Sequence, residues 1–518
     1  MSEKSKYFKK FFSFNFKYLK KNKGILIGDR IQNDANIRSL ILMNNLNKQN
    51  NFNPYLISDL NDKNNIPIYK YLNIKKHSIN FKLKDLRFFF IFSSAIFDFL
   101  IFYFKTLFLV NKIDWLIQKF QCKKINIGDL VYDLYIRYNL KFLNPSIYKF
   151  KFAKLLFIGI LKTHFIDYLV KKYKIKIILS TQISYTSYGN LMLRYGTKFK
   201  LKTFLTGYNF IQKYNNHNEA LSSPFKIREN KIKKNISQFS KNKIEKFYNL
   251  RKKGKLQGYY VPIDTMKKIY GIDEDYKIIK FVKKINKLKQ KHKINILAAH
   301  CFADSPHLCA EMIFRDYYDQ FLQTINFIRK YDKNTFWIIK PHPARSEYNE
   351  DGIIEDIIQR YKSELDNVII CPKKINNSTL FNLSDNLVNC VSTISLEYAC
   401  DGKRSILAGD APYFHKNLFY KPKSKIEYFN LIKNLDKIKI NLNTKEIILA
   451  KRILYIFEKE VFNNLEKSKV LPDIFLSKIK DRDYLKHLNN NIKRSKNISI
   501  YDDPFYKSLH LELSKINF

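Results

Sequence analysis

A chain of 518 residues is longer than one ordinary hydrophobic core supports, so two large domains are expected. Its 94 Lys and Arg against 46 Asp and Glu leave a formal charge of +48, although the hydrophobic share of 45% is that of a globular protein. This charge suits nucleic acid or the anionic face of a membrane, and an A- and T-rich coding sequence, favouring Lys, Asn, Ile, Phe and Tyr, also produces it. The lysines are spread along the whole chain and no RRM, KH or zinc-knuckle pattern occurs, which disfavours a nucleic-acid partner. Six cysteines (Cys122, Cys301, Cys309, Cys371, Cys390, Cys400) show no CxxC pairing and sit mostly in apolar segments. They read as reduced core thiols of a cytoplasmic protein, with neither a disulfide framework nor a zinc site.

In chain order, residues 1–23 form a Lys- and Phe-rich leader, too charged for a secretory signal core and followed by no small-residue cleavage site. Residues 24–28 (GILIG) read as a first strand, and 37–46 as a helix. Residues 88–104 (FFFIFSSAIFDFLIFYF) are apolar apart from two serines and Asp98, with Lys82, Lys84 and Arg87 before them and Lys105 after. As a helix they would extend about 26 Å, short of the roughly 30 Å hydrocarbon core. Asp98 at the middle would cost about 2.5–3.5 kcal/mol on insertion. A buried helix and an interfacial helix rank equal for this segment, and a transmembrane span ranks third. Residues 125–128 lead into a helix in which Tyr132, Tyr135 and Ile136 supply one face. Asp129 and Asp133, four apart, share another with Arg137 beyond them, as an ion-pair ladder or as site residues. Residues 175–179 form a strand ending at Ser180 and Thr181, 187–194 a helix closed near Gly196, and 202–205 a further strand. Residues 225–292 are lysine-dense, with turn signals at Gly254, Gly258 and Pro262 and a domain boundary expected at 280–293.

The second half opens with a strand at 294–299, the loop His300-Cys-Phe-Ala-Asp304-Ser-Pro306-His307, and a helix expected over 311–330. Asp304, His300 and His307 are candidates for catalysis, substrate contact or loop fixation. Residues 335–340 (TFWIIK) make a buried strand that stops at Pro341, so that Lys340-Pro341-His342-Pro343 lies at its carboxyl end. In open α/β sheets ligands bind at that edge, where a histidine held between prolines can donate to a phosphate oxygen. Residues 386–410 then read as strand, Ser392-Thr393 turn, short helix, Gly402 and strand. A helix start with two hydroxyls suits an anion, and two such places in one half-chain point to a nucleotide. After Gly409 the chain turns helical and charged.

Several of these stretches resemble the bacterial capsule polysaccharide biosynthesis proteins, related to Kdo-transferase and polysialyltransferase-type glycosyltransferases. The resemblance rests on H-x-F-x-D-x-P-H (His300 to His307), FRDYYDQF (Phe314 to Phe321), KPHP, VSTISLEYACDGKRSI (Val391 to Ile406) and IGDLVYDLYIRY (Ile127 to Tyr138), about a third of the chain. It implies a GT-B architecture, two Rossmann-like domains facing a cleft, with a helical carboxyl-terminal region. The expected division is an acceptor domain over 1–285, a nucleotide-sugar domain over 286–435 and helices over 436–518. The resemblance implies that Lys340, His342, Ser392 and Thr393 contact donor phosphate and that Glu397 holds the ribose. Asp304 or Asp129 would deprotonate an acceptor hydroxyl, and His300, His307, Asp133 and Arg137 would contact substrate. The implied activity is a glycosyltransferase without cofactor or metal. It would take a nucleotide-activated sugar, CMP-linked by analogy, to a polysaccharide or glycolipid acceptor at the anionic inner membrane surface. A teichoic-acid type CDP-polyol phosphotransferase and a non-catalytic export or assembly protein are the alternatives. Thr181-Gln182 stand where relatives are expected to carry a histidine, so no base is assigned there.

Overall fold

The computed structural model describes residues 12, 23–28, 33–50, 52–58, 75–78, 86–139, 145–181, 183–207, 210–221, 239–253, 255–256, 275–308, 312–459, 465–472, 481–495 and 499–515. The leader 1–23, apart from Phe12 and Lys23, and the turn signals at Gly254, Gly258 and Pro262 lie outside these residues, as do Cys309 and Gln182.

Strands β1 (Gly24–Gly28), β2 (Asn53–Ser58), β3 (Lys75–Ser78), β6 (Ile175–Ser180), β7 (Lys202–Thr206) and β8 (Ile211–Tyr214) form one sheet in the order β3-β2-β1-β6-β7-β8. A separate hairpin of β4 (Gln121–Cys122) and β5 (Ile125–Asn126) precedes the helix Gly128–Asn139. Within the six-stranded sheet all pairings are parallel except β7 with β8. β1 is an unbroken buried run because a parallel strand is covered on both faces. A Cβ on Gly28 would stand 3.2 Å from the backbone nitrogen of Gly189, so two glycines let the helix Tyr188–Lys198 approach the end of β1.

β9 (Ile294–Ala298), β10 (Phe336–Lys340), β11 (Val368–Ile370), β12 (Asn386–Asn389), β13 (Ser405–Leu407) and β14 (Phe419–Tyr420) form a second, wholly parallel sheet in the order β11-β10-β9-β12-β13-β14. Counted within its own unit, each sheet has the order 3-2-1-4-5-6, the doubly wound Rossmann arrangement. The chain is thus α/β with two separate Rossmann-like units, the composition of a GT-B protein, as expected.

The units are drawn differently from the expected domains. One comprises residues 1–135, 145–221 and 462–518, the other 136–144 and 222–461. Lysine density points to a boundary at 280–293, but helix Tyr276–Lys289 buries Ile278, Phe281 and Ile285 against β9, which binds it to the second core. Helices Asp481–Arg494 and Pro504–Ser514 send Leu488, Phe505 and Leu509 into the first core beside Ile25 and Leu40, so they complete that unit and are no third region. The short strand β14 follows Gly409, where helices alone were expected, and among the described residues no strand follows β14.

Candidate functional site at the carboxyl edge of the second sheet

β9 lies between β10 and β12, and the chain leaves it for opposite sides of the sheet, so the switch point falls between β9 and β12. The loops after β9, β10 and β12 carry His300, His342 and Ser392-Thr393 respectively, which brings most of the expected donor residues to one edge.

The two histidines stack. The His300 ring lies 4.1 Å from the Tyr317 ring and 5.3 Å from that of His342, at interplanar angles of 27° and 24°. His300 donates through Nδ1 to the Cys301 carbonyl (3.2 Å), which leaves Nε2 as an acceptor in the neutral ring. At His342 the order is reversed: the backbone N–H of Ala344 donates to Nδ1 (3.2 Å), with Cys301 Sγ 3.0 Å from the same atom, so the neutral ring keeps its proton on Nε2. Burial, then the neighbouring His300 and Lys340, push the His342 pKa down to about 3. Burial likewise lowers that of His300. His342 therefore offers a neutral Nε2–H, a hydrogen-bond donor that carries no charge. Positive charge at this edge comes from Lys340, half-buried and without an ion pair among the described residues.

The loop between them is fixed by a residue that sequence reading missed. Glu350 accepts from the backbone N–H groups of Phe302 (2.9 Å) and Ala303 (2.7 Å), and burial raises its pKa to about 7. Asp304 accepts from the Tyr348 hydroxyl (2.6 Å), while His307 donates through Nε2 to the Arg315 carbonyl (2.9 Å), a loop-fixing bond. Asp316 caps the following helix at Asp319 N–H, so that helix runs Tyr317–Tyr331 and starts later than expected. Arg137 donates to the Glu347 carbonyl (3.2 Å) and covers the Tyr348 ring at 4.0 Å. An Asn-Glu-Asp-Gly run after the KPHP turn is the signal for Glu350, but it reads equally as an ordinary turn.

Thr393 begins the seven-residue helix Ile394–Cys400 with no side-chain cap bond. Thr393 is already in helical backbone conformation, so its hydroxyl is not spent on the helix. Tyr413 donates to the Ser392 carbonyl, and Gly402, at φ +93°, ends the helix in the left-handed region that glycine tolerates. Glu397 faces inward. One oxygen accepts from Arg251 Nη2 (2.9 Å) and the other from Asn377 Nδ2 (2.8 Å), while Arg251 Nη1 also binds Glu458 (2.9 Å). In this geometry the Glu397 carboxylate orders a buried network.

Asp129 and Asp133 belong to the first unit. Both Asp129 oxygens accept from Arg194 (2.7 and 2.6 Å), so the carboxylate expected as a base is engaged in a bidentate ion pair. Asp133 is 1% exposed.

No protein-family model matches the chain, and no curated protein matches it. Solved structures similar to it include the beta Kdo 2,4 transferase KpsC of Thermosulfurimonas dismutans, at 13% identity and a TM-score of 0.28 over 54% of this chain and 79% of that one. A glycosyltransferase from Rickettsia africae has 10% identity and a TM-score of 0.24, covering 96% of this chain and 97% of its own. The UDP-GlcNAc 2-epimerase of Neisseria meningitidis has 12% identity and a TM-score of 0.25, over 85% and 96% of the two chains. The fold stands on the strand order of the two sheets.

Proposed function

We propose that the protein is a glycosyltransferase that binds a nucleotide-activated sugar at the carboxyl edge of its second sheet. One observation carries the reading: a proline-flanked, neutral His342 keeps Nε2–H as its donor at the switch-point edge, beside Lys340 and the Ser392–Thr393 helix start. These groups would stabilise charge on a departing nucleotide phosphate through hydrogen bonds and a cation. Asp304 serves as acceptor base in preference to Asp129, whose oxygens are both occupied. By the family resemblance, the donor is a CMP-linked acidic sugar and the product a capsule or other surface polysaccharide, made at the inner face of the cytoplasmic membrane.

The stacked pair of neutral imidazoles favours one second reading, transfer of a polyol phosphate from a CDP donor with His300 Nε2 as base. A donor-hydrolysis screen across CMP-, CDP-, UDP- and GDP-linked compounds separates the two. Sugar release with CMP supports the first reading, CMP with a polyol phosphate product supports the second, and no turnover of any donor overturns both.

A further inference from the structure

The helix Leu86–Leu107 is the one described helix long and apolar enough to cross a membrane, yet its two faces differ. Ile91, Ala95, Phe102 and Thr106 are buried, following helical spacing along one side. Asp98 lies on that side, 34% exposed, and accepts from His164 Nε2 (2.8 Å) on the helix Phe150–Lys172; Cys122 Sγ stands 3.7 Å from the same oxygen. Burial lowers the His164 pKa and raises that of Cys122. The carboxylate is thus satisfied from within the unit and fastens the helix along its flank. A helix whose inner side seals a core cannot leave it to span a bilayer.

Its outer side has no such cover. Phe89, Phe90, Phe97, Leu100, Phe104 and Leu107 are all exposed, with Phe97 at 64% and Phe104 at 65%. The apolar surface continues past Phe108, edge-to-face with Phe104 at 5.5 Å, and reaches Tyr148 through its contact with Tyr103 at 6.3 Å, next to Phe150 at 82% exposure. A patch of this kind on a soluble surface marks an interaction site. Its rim is basic: Lys105, Lys149, Lys151 and Lys154 are exposed, and Lys112 donates to the Tyr148 hydroxyl (2.7 Å). Between residues 89 and 154 the single exposed carboxylate among the described residues is Asp114. Aromatic side chains beside lysines match the boundary between acyl chains and anionic headgroups.

We propose that this outer face docks on an anionic phospholipid bilayer, with the helix lying in the interface plane and the Asp98–His164 pair turned toward the protein. The inference refines only the membrane location in the proposed function. Vesicle binding is read without donor or acceptor, so either proposal can fail alone.

Flotation of the full chain with phosphatidylcholine vesicles containing about a quarter phosphatidylglycerol tests it, at low and high salt. The wild type is expected to bind and to lose affinity as salt rises. Phe97→Ser with Phe104→Ser, and separately Lys149→Glu with Lys151→Glu, are each expected to weaken binding at least ~10-fold with unchanged melting. A Phe104→Trp variant should show blue-shifted emission quenched by brominated acyl chains. Absence of vesicle binding, or binding indifferent to the serine pair, overturns the proposal. So does membrane material that resists alkaline carbonate, which would mean a span. A vesicle-blind dimer that the serine pair dissociates would assign the face to a second copy and also overturn it.

Discussion

The two sheets run through the same strand order, yet the carboxyl ends of their central strands carry different chemistry. At the first, hydroxyls close the edge: Thr181 donates to the Gly28 carbonyl (3.3 Å) and Thr206 to that of Ser180 (3.4 Å), tying neighbouring strand ends together. At the second, a proline stops β10, and the loops present two imidazoles, a lysine and a hydroxyl-bearing helix start. Topology supplies a crevice at each switch point, and the residues following each strand decide which of them suits an anion.

The largest expected effect compares the buried ions of the two units. Arg251→Ala leaves Glu397 and Glu458 without their shared cation, both about 5% exposed, and should cost about 3–5 kcal/mol in chemical denaturation. Arg194→Ala abandons one carboxylate, Asp129, which is 13% exposed, together with the Asn126 carbonyl, and should cost less. Equal losses would break the contrast. Next, His342→Ala should weaken nucleotide binding roughly 10- to 150-fold by calorimetry, the worth of a hydrogen bond to a charged group, with melting at neutral pH unchanged. Thr181→Val at the first sheet should leave nucleotide affinity as it was; a loss there would move the donor to that edge.

A pH series sharpens the picture. His342 has its pKa depressed to about 3, so the stability tied to its neutral form is present above the unfolded value near 6.5 and lost as pH falls toward 3. Glu350 is raised to about 7, so its contribution is full below the unfolded carboxyl pKa near 4.3 and is lost as pH rises through 7. The two oppose one another over much of the same window. Melting curves should show Glu350→Gln more acid-sensitive than wild type and His342→Ala less so; parallel curves would contradict both assignments. The smallest effect is Thr393→Val. Its hydroxyl makes no cap bond, so melting should move by less than about 0.5 kcal/mol while nucleotide affinity falls.

The strands and the KPHP turn were legible because buried parallel strands are continuous apolar runs with sharp polar or proline ends, as in Ile294–Ala298 and Phe336–Lys340. Partnerships between distant residues were not. Arg194 is 65 positions from Asp129, and Arg251 is 146 from Glu397, and nothing in local spacing announces either pair. Glu350 escaped for the same reason, since its partners are backbone N–H groups 47 and 48 residues earlier. Lysine density misplaced the domain boundary because charge reports what a helix shows to water, while Ile278, Phe281 and Ile285 report what it packs against.

The return of residues 465–515 to the first core sets an order of events during synthesis. Residues 222–461 contain a whole sheet and its covering helices, so this unit has all its parts once they have left the ribosome. The amino-terminal sheet emerges earlier but stays uncapped until Leu488, Phe505, Leu509 and Leu513 arrive. The part made first is therefore finished last, and an apolar sheet surface waits through most of translation, the circumstance in which nascent chains depend on chaperones. Pulse proteolysis of stalled chains should find the second unit protected while the first is still cut, with protection of the first appearing only after residue 513 clears the exit tunnel.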